Sequence, residues 1–334
     1  MAAGLFIERR ITVEYGLGIP TRGPLAEAKS IEAIARHAEN LGFSWLSASD
    51  HLIVPRSIDS RYPYCASGDF PGAEGGDCLE QFTLLGFLAA ITSRARLLSS
   101  VTVAPHRGAI ETAKMIATID RLCDGRFTFG VGAGWMKEEF EAIQAPPFAA
   151  RGRVSDEIIQ ACRILWREDE PAFDGEHFRF SNITFLPKPV QRPGVPIWIG
   201  GESKAAKLRT VRLGDAWFPI HTNPRHPLDT LDRFRQGVQE LHDLAEKHAR
   251  DPATIGLALW SNLYDETRPE AKVDGKHHLL TGSTEAIIDD IGNLGEIGVR
   301  QTLLNFQRGD LERSLAAMQH FAEDVMPKVE SKSR

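Results

Sequence analysis

The feature that most constrains this chain is a regular alternation of short apolar segments with longer segments of helical periodicity. In the longer segments, apolar residues recur every three or four positions, as they do along one face of a helix. Eight short segments are predicted to be strands: residues 15–20, 44–48, 96–104, 127–131, 196–200, 215–219, 254–260 and 299–306. Repeated strand–helix units favour a parallel sheet. A count of eight favours a closed (β/α)8 TIM barrel of the α/β class over an open, doubly wound sheet.

One stretch is longer than a single strand-to-strand crossover needs. Residues 136–195 carry a helical pattern at 155–166, followed by a polar, aromatic segment rich in proline. Because α/β barrels often exceed the usual domain size as one unit, this stretch predicts an insertion in the barrel and not a second domain. Residues 1–334 are therefore predicted to form one domain.

The composition excludes several classes of protein. The net charge is −6 and no run is rich in Lys and Arg, whereas binding to a nucleic-acid backbone calls for a basic face. No apolar stretch approaches the roughly 18 residues of a membrane span, and the N-terminal residues lack the apolar run of a signal peptide. We therefore expect a cytoplasmic protein that binds neither nucleic acid nor membrane.

The four cysteines indicate reduced thiols. They form no CxxC pair, and their spacing fits no zinc site, so no bound metal is expected. A metal held by Cys65, Cys78 and His51 is an alternative that the spacing does not favour.

Candidate site residues follow the predicted strands, because the active site of such a barrel lies at the carboxyl ends of its strands. These positions hold glycines, aromatic residues and histidines: Asp50, His51, residues 104–107, residues 132–135, residues 200–203, Pro219 and His221. They contain no cluster of paired carboxylates and no Ser/His/Asp spacing typical of a nucleophile. Hydrolysis is therefore not the favoured chemistry.

Two glycine-rich segments suggest contacts to a ligand. The turn Gly200-Gly201-Glu202-Ser203 precedes a predicted helix, whose free N–H groups and bare backbone suit a phosphate, although an ordinary strand-to-helix turn has the same pattern. Gly130, Gly132 and Gly134 do not form a dinucleotide fingerprint, because Trp135 stands where the third glycine is required. Either a flat ring lies against this backbone or the strand packs closely against its neighbours.

His51 is the candidate proton donor or acceptor, because an imidazole at a strand end exchanges a proton near neutral pH. The alternative is a pair of Asp50 and His51 that only ties down the loop of residues 52–77. Arg151 and Arg153 suit either a phosphate or solvent.

Several of these residues lie in longer, recognisable runs: ASDHLIVPRSIDSRYPY, IDRLCDGRFTFGVGAGWMKEEFEAI, KPVQRPGVPIWIGGESKAAKLRTVRLGDAWFP and TGSTEAIIDDIGNLGEIGVRQTLL. In this order, and with residues 151–157, they resemble the luciferase-like monooxygenase superfamily from about residue 15 to residue 325. The DHL…P…SRYPY segment resembles the branch that depends on the deazaflavin coenzyme F420.

The resemblance implies a bacterial-luciferase-like barrel with a flavin-type ring at its carboxyl end. It implies a bulge at Ser100 and Val101, often with a cis peptide bond, that supports the ring. The cofactor contacts that it implies are Asp50, Ser100, Val101, Gly134, Trp135, Gly200, Gly201 and Ser203.

The function implied by the resemblance is hydride transfer between F420 and a small organic substrate, with His51 handling the proton. The first alternative is a monooxygenase that uses reduced flavin mononucleotide (FMN) and oxygen. The second is a flavin-binding barrel without turnover. A homodimer is usual in this family. Arg107-Gly108-Ala109 lacks the proline that the family usually has here, which leaves the shape of this loop open.

Overall fold

In the computed structural model, which describes residues 13–262, 264 and 269–332, the predicted parallel strands close into an eight-stranded barrel. The strands are β1 (Glu14–Gly18), β2 (Trp45–Ala48), β3 (Arg96–Ser99), β4 (Thr102–Val103), β5 (Phe127–Gly132), β6 (Phe173–Asp174), β7 (Arg179–Phe180), β8 (Ile197–Gly200), β9 (Ala216–Phe218), β10 (Gly256–Ser261), β11 (Lys272–Val273), β12 (Lys276–His277) and β13 (Val299–Leu304). Strands β3 and β4 together count as one of the eight barrel strands. The barrel includes β1, which pairs with both β2 and β13. The predicted (β/α)8 barrel is confirmed.

Helices alternate with the barrel strands. They are α1 (Ala28–Asn40), α2 (Gln81–Ile91), α3 (Ala109–Leu122), α4 (Lys137–Ala142), α5 (Arg151–Arg167), α6 (Lys204–Leu213), α7 (Leu231–Lys247), α8 (Thr284–Ile297), α9 (Leu311–His320) and α10 (Met326–Lys332). Capping fixes several of their ends: the side chain of Ser283 accepts a hydrogen bond from the Ala286 N–H, and Gly298 ends α8 in a left-handed conformation. Among the described helices, none has the length and apolarity to cross a bilayer.

The prediction of one continuous third strand over residues 96–104 is wrong. The strand breaks at Ser100 and Val101, whose peptide bond is cis, and then resumes as β4. Residues 104–106 form a short 3-10 helix instead of extending the strand. An apolar run does not reveal such a break, because the side chains on both sides of it remain buried.

The insertion is smaller than the sequence indicates. The helical pattern at 155–166 belongs to α5, which packs on α3 and α6 and is the crossover helix between β5 and β8. The additional elements are α4 and the β6–β7 hairpin. A second hairpin, β11–β12, lies between β10 and α8, where the sequence predicts no element.

The core has two layers, because alternate strand residues point to opposite sides of the barrel wall. A compact interior cluster contains Trp45, Leu98, Trp198, Ala216, Phe218, Ala258 and Leu303. The rings of Trp45 and Trp198 lie 4.6 Å apart between centroids. Their chain neighbours, such as Leu46 and Ile197, belong to the larger cluster between barrel and helices. The filled interior confines any binding site to an end of the barrel.

Candidate active site at the carboxyl end of the barrel

The structure brings the predicted site residues to one end of the barrel, because all eight barrel strands are parallel. They lie after β2, in the break between β3 and β4, after β5 and at the end of β8. The residues so placed are Asp50, His51, Ser100, Val101, Gly134, Trp135, Gly200, Gly201 and Ser203.

His51 is held by a carboxylate that sequence reasoning missed. Its Nδ1 lies 2.8 Å from Oε2 of Glu139, on α4, and both side chains are buried. Burial tends to raise the pKa of the Glu139 carboxyl, but the hydrogen bond from His51 and the charges of His51 and His106 lower it below its usual value. An ionised Glu139 favours the imidazole tautomer with a proton on Nδ1, which leaves Nε2 to exchange protons.

Asp50 does not pair with His51. Its carboxylate accepts two hydrogen bonds from the Arg107 guanidinium, at 2.8 and 2.9 Å, and one from the Val103 N–H at 2.9 Å. Arg107 also donates to Glu80 at 2.8 Å. This buried ion pair joins the ends of β2 and β4, so the contact of Arg107 is a structural one. Gly108 precedes α3 in an extended conformation, so α3 begins at Ala109 without the proline.

The loop of residues 52–77, here called the long loop, is fastened by α4. Oε1 of Glu139 accepts the Leu52 N–H at 2.8 Å, and Oε1 of Glu138 accepts the N–H groups of Asp59 and Ser60. These two glutamates therefore anchor the long loop by hydrogen bonds to its backbone. The structure does not contain the Asp50–His51 pair that the alternative interpretation required. The available signal was the pair of adjacent glutamates that begins three residues after Trp135, but the partners of these glutamates are 78 to 88 residues away.

The long loop covers the carboxyl end with aromatic side chains. The ring of Phe70 packs on both His51 and Trp135, at centroid distances of 5.0 and 5.3 Å, and Tyr62 contacts Trp135 at 5.3 Å. The Arg22 guanidinium lies over the Phe70 ring. This aromatic cluster encloses His51, whose residue is 8% exposed. A flat ring entering here would meet faces of other rings and little water.

The glycines of β5 pack against the neighbouring barrel strand, which β3 and β4 form together. A Cβ on Gly130 would lie 2.0 Å from the Ser99 carbonyl oxygen, and one on Gly132 would lie 2.6 Å from a methyl group of Val101. On the other side, a Cβ on Gly200 would lie 3.0 Å from the second Val101 methyl group. Close packing thus accounts for Gly130 and Gly132. It seats Val101 between β5 and β8, half-buried at the carboxyl end.

The glycine turn, residues 200–203, has the geometry of an anion site. Gly201 adopts φ +104°, which side chains disfavour, and its carbonyl accepts a hydrogen bond from Nε1 of Trp217 at 2.8 Å. Ser203 caps α6 by accepting from the Ala206 N–H. The N–H groups of Lys204 and Ala205, in the first turn, have no acceptor within the helix. Backbone donors beside bare glycine therefore point out of this turn.

Glu202 in the same turn is a second buried carboxyl group that the sequence did not single out. It accepts hydrogen bonds from the Ile220 N–H at 2.8 Å and from the Asn223 amide at 2.6 Å, and it is 4% exposed. Burial raises its pKa to about 7, although the two donors and Lys207 oppose the rise. Glu202 therefore titrates near neutral pH.

This raised pKa predicts a pH-dependent stability. A folded-state pKa above the unfolded value means that the folded protein binds more protons between the two values, so stability falls as pH rises through that window. We expect the wild type to lose thermal stability relative to the Glu202→Gln variant as pH rises from 5 to 8. Thermal unfolding of both proteins across this range measures the difference; a difference independent of pH would contradict the raised pKa.

Arg151 and Arg153, the two candidate arginines in α5, contact other residues of the protein. Nε of Arg151 donates to the Gly134 carbonyl at 3.2 Å, and its guanidinium lies over Phe148. Arg153 is exposed beside Glu176, as expected of a solvated residue. His106 is buried against Phe140, and burial lowers the pKa of its imidazole.

A carboxylate–histidine cluster of Glu157, Glu176 and His177 lies between α5 and the β6–β7 hairpin. Glu157 accepts the N–H groups of residues 176, 177 and 178, so its charge is already used to hold the β6–β7 hairpin. The cluster is therefore explained by its role in holding the β6–β7 hairpin, and in sequence it lies away from the glycine turn.

Sequence comparison decides the family. The profile of the luciferase-like monooxygenase family matches residues 1–320. This chain belongs to the luciferase-like monooxygenase family. An uncharacterized protein of Mycobacterium tuberculosis (strain ATCC 25618 / H37Rv) is 33% identical over 242 residues, which cover 69% of this chain and 83% of the relative.

Two further proteins illustrate the range of luciferase-like relatives. An FMNH(2)-dependent dimethylsulfone monooxygenase of Pseudomonas putida is 37% identical over 141 residues, or 42% of this chain and 39% of that protein. An F420-dependent secondary alcohol dehydrogenase, solved in complex with an F420-acetone adduct, superposes with a TM-score of 0.72. It is 17% identical and covers 95% of this chain and 99% of its own, so it demonstrates a shared fold.

Proposed function

We propose that this protein is an F420-dependent oxidoreductase that transfers a hydride between the deazaflavin and a small organic substrate. The observation that carries the proposal is the convergence, at one end of the barrel, of an anion-binding turn and a histidine that a buried glutamate orients. The long-loop motif that resembles the F420-dependent branch supports the choice of cofactor.

The residues present fit such a cofactor. The glycine turn offers backbone N–H groups and no side chain at residues 200 and 201, which suits a phosphate. Val101 and Trp135 offer apolar surface to a ring beside His51. When bound, the deazaflavin supplies the hydride chemistry, and the protein supplies binding and orientation.

His51 would hold or release the proton that accompanies the hydride. Glu139 accepts the Nδ1 proton, so Nε2 is the atom that exchanges with substrate. The aromatic cluster limits the exposure of His51 to 8%, and low exposure to water strengthens electrostatic interactions at its imidazole. Asp50 and Arg107 hold the ends of β2 and β4 in register beside it.

The second candidate function is an FMN-dependent monooxygenase. The specific observation in its favour is the 37% identity to the FMNH(2)-dependent dimethylsulfone monooxygenase. The same glycine turn suits the phosphate of FMN, so the two candidates differ in the ring and not in the anchor.

The anchor is tested by replacing Gly201 with valine. A β-branched side chain at φ +104° strains the turn and blocks the approach of a phosphate to the backbone. We expect binding of F420 and FMN to weaken at least about tenfold, or about 1.4 kcal/mol. Gly275→Val is the matched control: Gly275 also has positive φ, at +76°, but lies in the β11–β12 hairpin. Equal affinities of the folded Gly201→Val variant and the control would refute the anchor.

A further inference from the structure

Glu202 lies within the proposed phosphate site, between Gly201 and Ser203, yet among the described residues its carboxyl group has no cationic hydrogen-bond partner. Within the described part of the chain, its hydrogen-bond donors are neutral: the Ile220 N–H and the Asn223 amide after β9. The lysine whose charge acts on it is Lys207 on α6, and the ammonium group of Lys207 donates a hydrogen bond to Glu240 at 2.6 Å.

From the long loop, Tyr64 faces the same carboxyl group. Burial and the charge of Glu202 raise the pKa of the Tyr64 phenol well above its usual value, so this side chain stays neutral. Tyr64 is linked to the loop after β9, because its carbonyl accepts a hydrogen bond from the Thr222 hydroxyl at 3.3 Å. Among the described residues, Lys207 is therefore the cation whose charge acts on Glu202, and Lys207 is already paired with Glu240.

We propose that binding of a phosphate group at the glycine turn is coupled to uptake of one proton by the Glu202 carboxylate. A phosphate at this turn and the buried Glu202 carboxylate would repel each other, and protonation of the carboxylate is the change that removes the repulsion. The proton comes from solvent and leaves when the phosphate dissociates. This inference rests on the proposed function, because the phosphate belongs to the proposed cofactor.

The titration range makes the coupling measurable. With a pKa of about 7, Glu202 is about half protonated at pH 7 in the free protein. Full protonation on binding therefore takes up about half a proton per ligand bound. Without the coupling, the protein contributes no uptake at this site.

The experiment is isothermal titration calorimetry at pH 7 in phosphate-free buffers of different ionisation enthalpies. The probes are F420 and FMN, each paired with a ligand that has the same ring but no phosphate: the ribityl deazaflavin and riboflavin. Comparison within a pair cancels ionisation of the ring. Comparison of wild type with Glu202→Gln cancels ionisation of the phosphate itself.

On binding the phosphate-bearing ligand, we expect the wild type to take up about half a proton more than Glu202→Gln does. With the phosphate-free ligand, the two proteins should not differ. Binding of F420 or FMN without this difference would overturn the coupling and leave the proposed function standing. Failure of both to bind would overturn the function and the coupling together. If Glu202→Gln does not fold, the F420 pair on the wild type decides the question, because the phosphodiester of F420 does not itself titrate near pH 7.

Discussion

The His51→Ala variant is expected to lose roughly 100-fold or more in the rate of hydride transfer, the usual range for loss of an acid–base group. The reason is that His51 is the imidazole within the aromatic cluster and is oriented by Glu139 at 2.8 Å. Binding of cofactor should change much less, because the glycine turn lies at the end of another strand. Single-turnover hydride transfer with saturating F420 measures the rate, once a substrate has been found.

His51→Gln is the matched control for this prediction. A glutamine side chain can donate a hydrogen bond toward Glu139 but carries no titratable proton. If proton transfer is the role of His51, this variant stays as slow as His51→Ala. If both variants react within a few-fold of the wild type, His51 has no part in proton transfer. Recovery by glutamine alone would indicate that the residue only braces the long loop.

Arg107→Met is expected to lower the free energy of unfolding by about 3–5 kcal/mol, the cost of removing one partner of a buried ion pair. The Asp50 carboxylate is fully buried and receives both guanidinium hydrogen bonds, so methionine would leave its charge uncompensated. In the wild type, burial tends to lower the pKa of Arg107, but the hydrogen bonds that it donates to Asp50 and Glu80 raise this pKa above its usual value. Denaturant unfolding measures the loss.

Arg153→Met is the matched control, because Arg153 is exposed and its nearest carboxylate oxygen, on Glu176, lies at 3.5 Å. An exposed pair contributes about 0–1 kcal/mol, so this variant should be close to wild type. The double variant Asp50→Asn/Arg107→Met should be less destabilised than the sum of its single variants, since it removes both charges. Equal stability of Arg107→Met and Arg153→Met would contradict the ion pair's role.

The barrel was predictable because its signal is periodic and local. Each strand and helix needs its own apolar pattern, and eight repetitions reinforce one another. The break at Ser100 and Val101 is implied by the family resemblance and confirmed by the structure, but the apolar pattern alone gives a continuous strand. The helix α5 was assigned to the insertion because sequence shows its length and not its packing on α3 and α6.

The positions of the candidate site residues were predictable, whereas their partners were not. Strand ends can be located from a pattern, and they place His51, Trp135 and Gly201 at one end of the barrel. The contact of His51 with Glu139 spans 88 residues, and nothing in the local pattern distinguishes Glu139 from Glu138. Likewise, the glycines of β5 could serve a ring or a neighbouring strand until the side chain of Val101 was located.

The central claim, dependence on F420, is tested most directly by titrating the purified, cofactor-free wild-type protein separately with F420 and with FMN. Quenching of tryptophan fluorescence follows binding, since Trp135 lies in the aromatic cluster and Trp217 contacts the glycine turn. The proposed function predicts that F420 binds at least about tenfold more tightly than FMN, a difference of about 1.4 kcal/mol. Tighter binding of FMN, or binding of neither compound, would contradict it.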